Sequence, residues 1–265
     1  PSISGNKIVW GWDPELSKPL CRHSDIYLYD LETNRGHFIA RDQNIKFSPR
    51  IFGRYIVWRD WGIFRQYLAG GFKEDVVLYD SITHTERPIV IDPPGGDLSL
   101  KMQADPAISY NRVVYTDGRN GNLDIYLYDI STNTERQITK NESDQCIPDI
   151  SGERIVYSDF RNGNWDIYLY DLTTDTEYPI TCDLLFDQVY PRISGDTIVW
   201  MDLRNGNWDV YLYNLPPVVP KVNVQSIFTS SKNELSVSWQ TQKESIIVQN
   251  QYAIGTSRGA TDIVD

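Results

Sequence analysis

Along residues 1–215 the apolar positions fall into short runs closed by Gly, Asn, Asp or Pro, and no stretch repeats them at helical spacing. One unit recurs five times. It opens at ISGNKIVW (3–10), IFGRYIVW (51–58), ISYNRVVY (108–115), ISGERIVY (150–157) and ISGDTIVW (193–200), at spacings of 48, 57, 42 and 43 residues. Each opening leads to a second apolar run: DIYLYDL (25–31), DVVLYDS (75–81), DIYLYDI (124–130), DIYLYDL (166–172) and DVYLYNL (209–215). The first four units then carry a third run, such as TERQIT (134–139). RIVY and IYLY are apolar or aromatic on both alternating faces, as a strand must be when its sheet is covered on both sides. Four short strands at such a period predict an all-β fold, a β-propeller of five four-stranded blades starting near residues 1, 49, 106, 148 and 191. The strands are termed A (PDIS), B (RIVYSD), C (WDIYLYD) and D (TEYPIT). Tyr hydroxyls are expected to find polar partners at the blade edges, and Asp30, Asp80, Asp129 and Asp171 to close strand C in Asx turns.

Between strands B and C the run DFRNGNWD (159–166) recurs as DGRNGNLD (117–124) and DLRNGNWD (202–209). A type I′ turn on Asn-Gly sets Asp159 opposite Asp166, Asp117 opposite Asp124 and Asp202 opposite Asp209. Opposed like charges destabilise a sheet, so each pair needs a counter-charge. Arg161, Arg119 and Arg204 lie on the same face as these pairs and are expected to fork between the two carboxylates as a structural clasp. A cation such as calcium is the weaker alternative, because two carboxylates supply too few oxygens and an Arg opposes it. Three equivalent copies also argue against a specialised acid–base pair.

Three long insertions depart from this consensus, and all are B–C or D–A connections, which share one face. GWDPELSKPLCRHSD (11–25) puts Trp12 where the consensus has Asp, opposite Asp25. RDWGIFRQYLAGGFKED (59–75) keeps Asp60 and Asp75, a weak metal candidate, and loses the turn Arg. IDPPGGDLSLKMQADP (91–106) enters the third blade. Together they offer Trp12, Asp13, Asp60, Trp61, Phe64, Arg65, Tyr67, Phe72 and Asp97 as a platform for a sugar or a protein.

Composition narrows the function. A formal charge of -11 repels phosphate backbones and anionic lipid, so nucleic-acid and membrane-surface roles are not expected. No apolar run reaches the length of a membrane span. Cys21, Cys146 and Cys182 lack metal-ligand spacing, and His23, His37 and His84 do not converge, so no cofactor is expected beyond the calcium alternative. No G-x-S-x-G or phosphate loop is present. A central-pocket glycoside hydrolase or lyase would have to use acids near the starts of the A strands, where only Asp105 and Asp149 stand.

The units PRISGDTIVWMDLRNGNWDVYLYNL and PDISGERIVYSDFRNGNWDIYLYDL resemble the TolB-type, WD-like propeller repeats of archaeal and bacterial cell-surface proteins. The resemblance spans residues 1–215 and implies a fold rather than an activity. The fifth unit stops after strand C at PPVVP, and in such propellers the closing strand often comes from residues ahead of the first A strand, or the ring holds further blades. After a Pro-rich linker (216–221), residues 222–265 resemble the first half of a fibronectin type III-like module in LSVSW and QYAIGTSRG. The expectation is a non-catalytic extracellular binding or structural module, with a protein or glycan partner at the cell surface and homo-oligomerisation open.

Overall fold

The computed structural model describes residues 1–12, 24–42, 44–61, 74–89, 102–182 and 185–216. Its contacts divide the chain into two units, Pro1–Leu215 and Pro216–Asp265. The first is an all-β propeller whose sheets follow the sequence repeats. Blade 1 is β1 (Ser2–Ser4), β2 (Lys7–Trp12), β3 (Asp25–Asp30) and β4 (Arg35–Ala40). Blade 2 is β5 (Ile45–Phe52), β6 (Tyr55–Trp61), β7 (Glu74–Asp80) and β8 (Thr85–Pro88). Blade 3 is β9 (Gln103–Ser109), β10 (Arg112–Asp117), β11 (Asp124–Asp129) and β12 (Thr134–Gln137). Blade 4 is β13 (Gln145–Ser151), β14 (Arg154–Asp159), β15 (Asp166–Asp171) and β16 (Thr176–Pro179). Blade 5 has three strands among the described residues, β17 (Gln188–Ser194), β18 (Thr197–Asp202) and β19 (Asp209–Asn214). The linker and the fibronectin-like segment, from residue 217 onward, lie outside the described residues.

The double-sided apolar pattern has the cause read from it. Val156, Ile167 and Leu169 leave one face of blade 4 and pack on Ile193, Ile198 and Trp200 of blade 5, and the seams between blades 1 and 2, 2 and 3, and 3 and 4 repeat this arrangement. Burying each such side chain stabilises by about 1.5–3 kcal/mol, so the seams hold the arc together. Polar staples reinforce them. Ser4 Oγ accepts the Gly53 amide at 3.0 Å, Ser109 that of Gly152 at 3.1 Å and Ser151 that of Gly195 at 3.0 Å. Between blades 2 and 3 the serine is Phe52 and the glycine is Tyr110, and their rings meet at 4.7 Å.

The A strands pack side by side at the inner edge, each against the A strand of the next blade. Four of them carry a bulge at a residue-proline pair: Ser48-Pro49, Asp105-Pro106, Ile147-Pro148 and Tyr190-Pro191. Proline has no N–H for the ladder, and the residue before it swings into the left-handed region, at φ 48°, 50°, 56° and 57°. At the outer edge the Asx turns form as expected, with Asp30, Asp80, Asp129 and Asp171 each accepting the amide two residues on, at 2.8–2.9 Å. Tyr hydroxyls end on polar groups of their own blade, as in Tyr79 on His84 and Tyr157 on Glu177.

Candidate functional site

The B–C hairpins place the two aspartates in the register expected, with Asp117↔Asp124, Asp159↔Asp166 and Asp202↔Asp209 as direct partners. The turn itself differs. Gly163 donates to Phe160 O at 3.1 Å, and Gly121 and Gly206 do the same to Gly118 and Leu203, so the turn is centred on Arg-Asn rather than Asn-Gly. Only the glycine has a positive φ, 89° in the case of Gly163. Asp159 draws the chain into this path by accepting the Arg161 amide at 2.8 Å.

That shift reassigns the charges. Arg161 grips Asp159 through Nε and Nη2 at 2.9 and 2.6 Å, then turns outward to Glu177 of strand D at 2.6 and 2.9 Å. Its guanidinium lies 4.2 Å from the Tyr168 ring centre. Arg119 spans Asp117 and Glu135 in the same manner, and Arg204 grips Asp202. The expected fork to the second aspartate is therefore corrected, because Asn rather than Arg faces it. Asp166 accepts from Asn162 at 2.8 Å and Thr181 at 3.2 Å, Asp124 from Gln137 at 2.9 Å and Asn120 at 3.2 Å, and Asp209 from Asn207 and Asn205 at 2.7 and 3.0 Å. Burial pushes Asp124 above the ordinary carboxylate range, against these hydrogen bonds. For Asp202 burial acts in the same sense, but the Arg204 hydrogen bonds outweigh it and hold the carboxyl low.

Blades 1 and 2 solve the same charge problem with other residues. Trp12 does stand opposite Asp25, and there the buried Asp25 carboxylate meets Arg41 Nε at 3.3 Å. Trp12 itself is 46% exposed. Asp60 and Asp75 are register partners. Asp60 accepts from Asn44 at 2.8 Å and lies 3.7 Å from the ammonium of Lys46, a fully buried lysine that also meets Asp42. Burial raises the Asp60 pKa, with Lys46 opposing. The Lys46 ammonium supplies positive charge beside Asp60, and among the described residues no group of three or more His, Cys, Asp or Glu is placed to hold a metal.

Beside these hairpins the inner edge carries Asp105 and Asp149, which the sequence pointed to, and Phe47, Arg50, Arg59 and Arg192, which sequence reasoning missed. Phe47, exposed on the bulged strand β5, lies 6.4 Å from Trp61 between ring centres, and Arg59 stands over it at 5.8 Å while pairing with Glu74 at 2.6 Å. On the adjoining A strands β5, β9, β13 and β17, Arg50, Asp105, Asp149 and Arg192 come from blades 2 to 5 and feel one another's charge. Burial raises both Asp105 and Asp149; Arg59, then Arg192 and Arg50, pull Asp105 back, and the Ile193 amide, then Arg192 and Arg50, pull Asp149 back. Burial and the neighbouring Arg192 lower Arg50. Asp149 also accepts the Ile193 amide at 2.9 Å, tying blade 4 to blade 5. The position following Pro in P-x-I, PRIF for Arg50 and PRIS for Arg192, was the available signal. Of the platform residues, Trp12, Asp60 and Trp61 are placed as above, and Asp13, Phe64, Arg65, Tyr67, Phe72 and Asp97 lie outside the described residues.

No protein-family model and no curated protein matches this sequence. Solved structures do. The chain is similar to TolB from Acinetobacter baumannii, at 19% identity and TM-score 0.58, over 79% of this chain and 50% of that one. A protein assigned as TolB from Agrobacterium tumefaciens aligns at 20% identity and TM-score 0.54, over 78% and 77%. An oligogalacturonate lyase in complex with manganese aligns at 15% identity and TM-score 0.56, over 81% and 64%. The chain thus spans about half the length of the Acinetobacter protein. At these identities the likeness establishes the propeller fold alone, a fold that binding proteins and enzymes share.

Proposed function

We propose that the chain is a non-catalytic binding or structural module of a cell-surface or extracellular assembly, of the TolB-type repeat class. Its contact face is the one where the long B–C and D–A connections of blades 1 to 3 emerge. The observation that carries this reading is the exposed Trp12 in the slot that three other blades fill with a buried, Arg-gripped aspartate. With Phe47 and Trp61 it supplies aromatic faces beside carboxylates and an arginine, the chemistry that stacks on sugar rings or anchors a protein partner. On this reading the repeated aspartates serve to hold the hairpins. A glycan array probed with the wild-type chain and with Trp12→Ala/Trp61→Ala, with calcium added and withheld, tests the reading. Binding that falls at least tenfold in the variant at unchanged thermal stability supports it. Silence on the array with self-association on a sizing column would shift the role to structural.

A second reading rests on the quartet of the adjoining A strands. Asp105 and Asp149, both raised by burial, beside Arg50 and Arg192 would suit acids acting on a carboxylated sugar, the class named for the lyase neighbour. Incubation with oligogalacturonate, followed by absorbance of the unsaturated product, decides it, and no turnover removes it.

A further inference from the structure

The A strands of blades 2 to 5 pack β5 on β9, β9 on β13 and β13 on β17, and each contributes one half-buried charge: Arg50, Asp105, Asp149 and Arg192. The residue after the proline of each unit is aimed across the blade boundary. Ser2, at this position in blade 1, accepts the Ile51 amide of blade 2 at 3.3 Å, and Asp149 accepts the Ile193 amide of blade 5 at 2.9 Å. Blades 2 and 5 fill the same position with Arg50 and Arg192, whose guanidiniums have no atom to accept an amide and repel each other instead. Among the described residues Arg50 makes no hydrogen bond or ion pair, and Arg192 donates only to the adjoining carbonyl, Pro191 O, at 2.7 Å. Asp105 is likewise without a hydrogen bond or ion pair among them, and Arg59, the cation that acts most strongly on it, keeps a buried Nε without a partner.

Charges drawn out of water are ordinarily paired. Here two of each sign gather without joining in ion pairs among the described residues, so their hydrogen-bonding capacity is open to a ligand. One anion set between two arginines relieves the repulsion of both, and a carboxylate matches the planar fork of a guanidinium. The aspartates on β9 and β13 decide what else that anion carries. A doubly charged phosphate or sulfate meets them as like charges, whereas a hydroxyl or ammonium group beside the carboxylate donates to them. We propose that Arg50 and Arg192 bind the carboxylate of a small hydroxy acid or amino acid, and that Asp105 and Asp149 accept from the hydroxyl or ammonium group on its adjoining carbon. The site goes beyond the readings above. It uses neither Trp12 nor Trp61, and it holds its ligand without turnover, so silence on a glycan array or in a lyase assay leaves it standing.

Titrations of the full chain with glycolate, glycine, acetate and inorganic phosphate, followed through the arginine Nε–Hε signals in nitrogen-15 NMR, test the site. The expectation is that the Arg50 and Arg192 signals move and saturate with glycolate or glycine, that acetate, which lacks the donor, binds at least tenfold more weakly, and that phosphate gives no saturable shift. Glycolate tighter than glycine identifies a hydroxy acid, and the reverse an amino acid. Asp105→Asn should weaken glycine at least tenfold relative to acetate. Arg50→Gln/Arg192→Gln should abolish the binding of both ligands, with circular-dichroism melts to verify the fold. Should that variant melt early, Arg192→Lys, which keeps the charge and loses the fork, must by itself weaken the tighter of the two ligands. A wild-type chain whose arginine signals stay put with both glycolate and glycine overturns the proposal. So does binding that survives the arginine substitutions, or acetate or phosphate binding as tightly as glycolate and glycine, since the last describes an adventitious anion only.

Discussion

Arg161→Ala removes the hub of the blade 4 hairpin, and the cost can be worked from its contacts. Asp159 is fully buried, and Arg161 gives it two side-chain hydrogen bonds and Glu177 two more, from a side chain 22% exposed. Breaking a buried pair by deleting one partner costs about 3–5 kcal/mol, because a charge is left uncompensated. Two features lower that figure. The outer edge of the guanidinium faces water, which will enter the vacated space, and Asp159 keeps the amide of residue 161 at 2.8 Å. The expectation is a loss of about 2–3 kcal/mol, or about 4–12 °C in Tm for a unit of this size. Arg204→Ala should cost about half as much, since that side chain is 38% exposed. Urea denaturation followed by tryptophan fluorescence reads both. The double variant Arg161→Ala/Asp159→Asn should regain at least half the loss, because it removes the stranded charge. If Arg161→Ala lies within about 0.5 kcal/mol of wild type, or the second substitution deepens the loss, the hub argument fails.

Two further predictions concern the same hairpins. Gly163→Ala meets no atom within 4 Å, so its expected loss of about 1 kcal/mol comes from φ 89° alone; unchanged stability would show that the turn shifts freely to a two-residue form. Asp202 has a depressed carboxyl, so the stability it contributes is complete above the unfolded carboxylate value of about 4 and drains away as pH falls through the lower folded value. Arg204→Ala should therefore flatten the acid limb of a stability-versus-pH curve, and an unaltered limb would assign that dependence to other groups.

The strand register was legible because a period of two and recurring terminal aspartates leave little freedom: one slip would turn Ile167 and Leu169 out of the seam. The centre of the turn was misplaced by one residue because Asn-Gly is the strongest local hairpin signal, and it was overridden by the Asx bond from Asp159 to the Arg161 amide. Glu135 and Glu177 escaped notice for a different reason. They lie on strand D, sixteen residues beyond their arginines, although the recurrent Thr-Glu in TERP, TERQ and TEYP marked the place. Arg50 and Arg192 sit in otherwise unremarkable A strands, and only the side-by-side packing of β5, β9, β13 and β17 brings four blades' charges near one another.

The Ser-to-Gly staples, and their replacement by Phe52 against Tyr110, bear on how such a chain can be rebuilt. Each lock belongs to two consecutive repeats, so the exchangeable part is the junction and not the blade. Blade 4 could be duplicated in tandem, since its Ser151 and Gly152 complete each other across the new joint. Blades 2 and 3 would have to travel together: separated, Phe52 would face a glycine and Tyr110 a serine, and two joints would be left mismatched by a single cut.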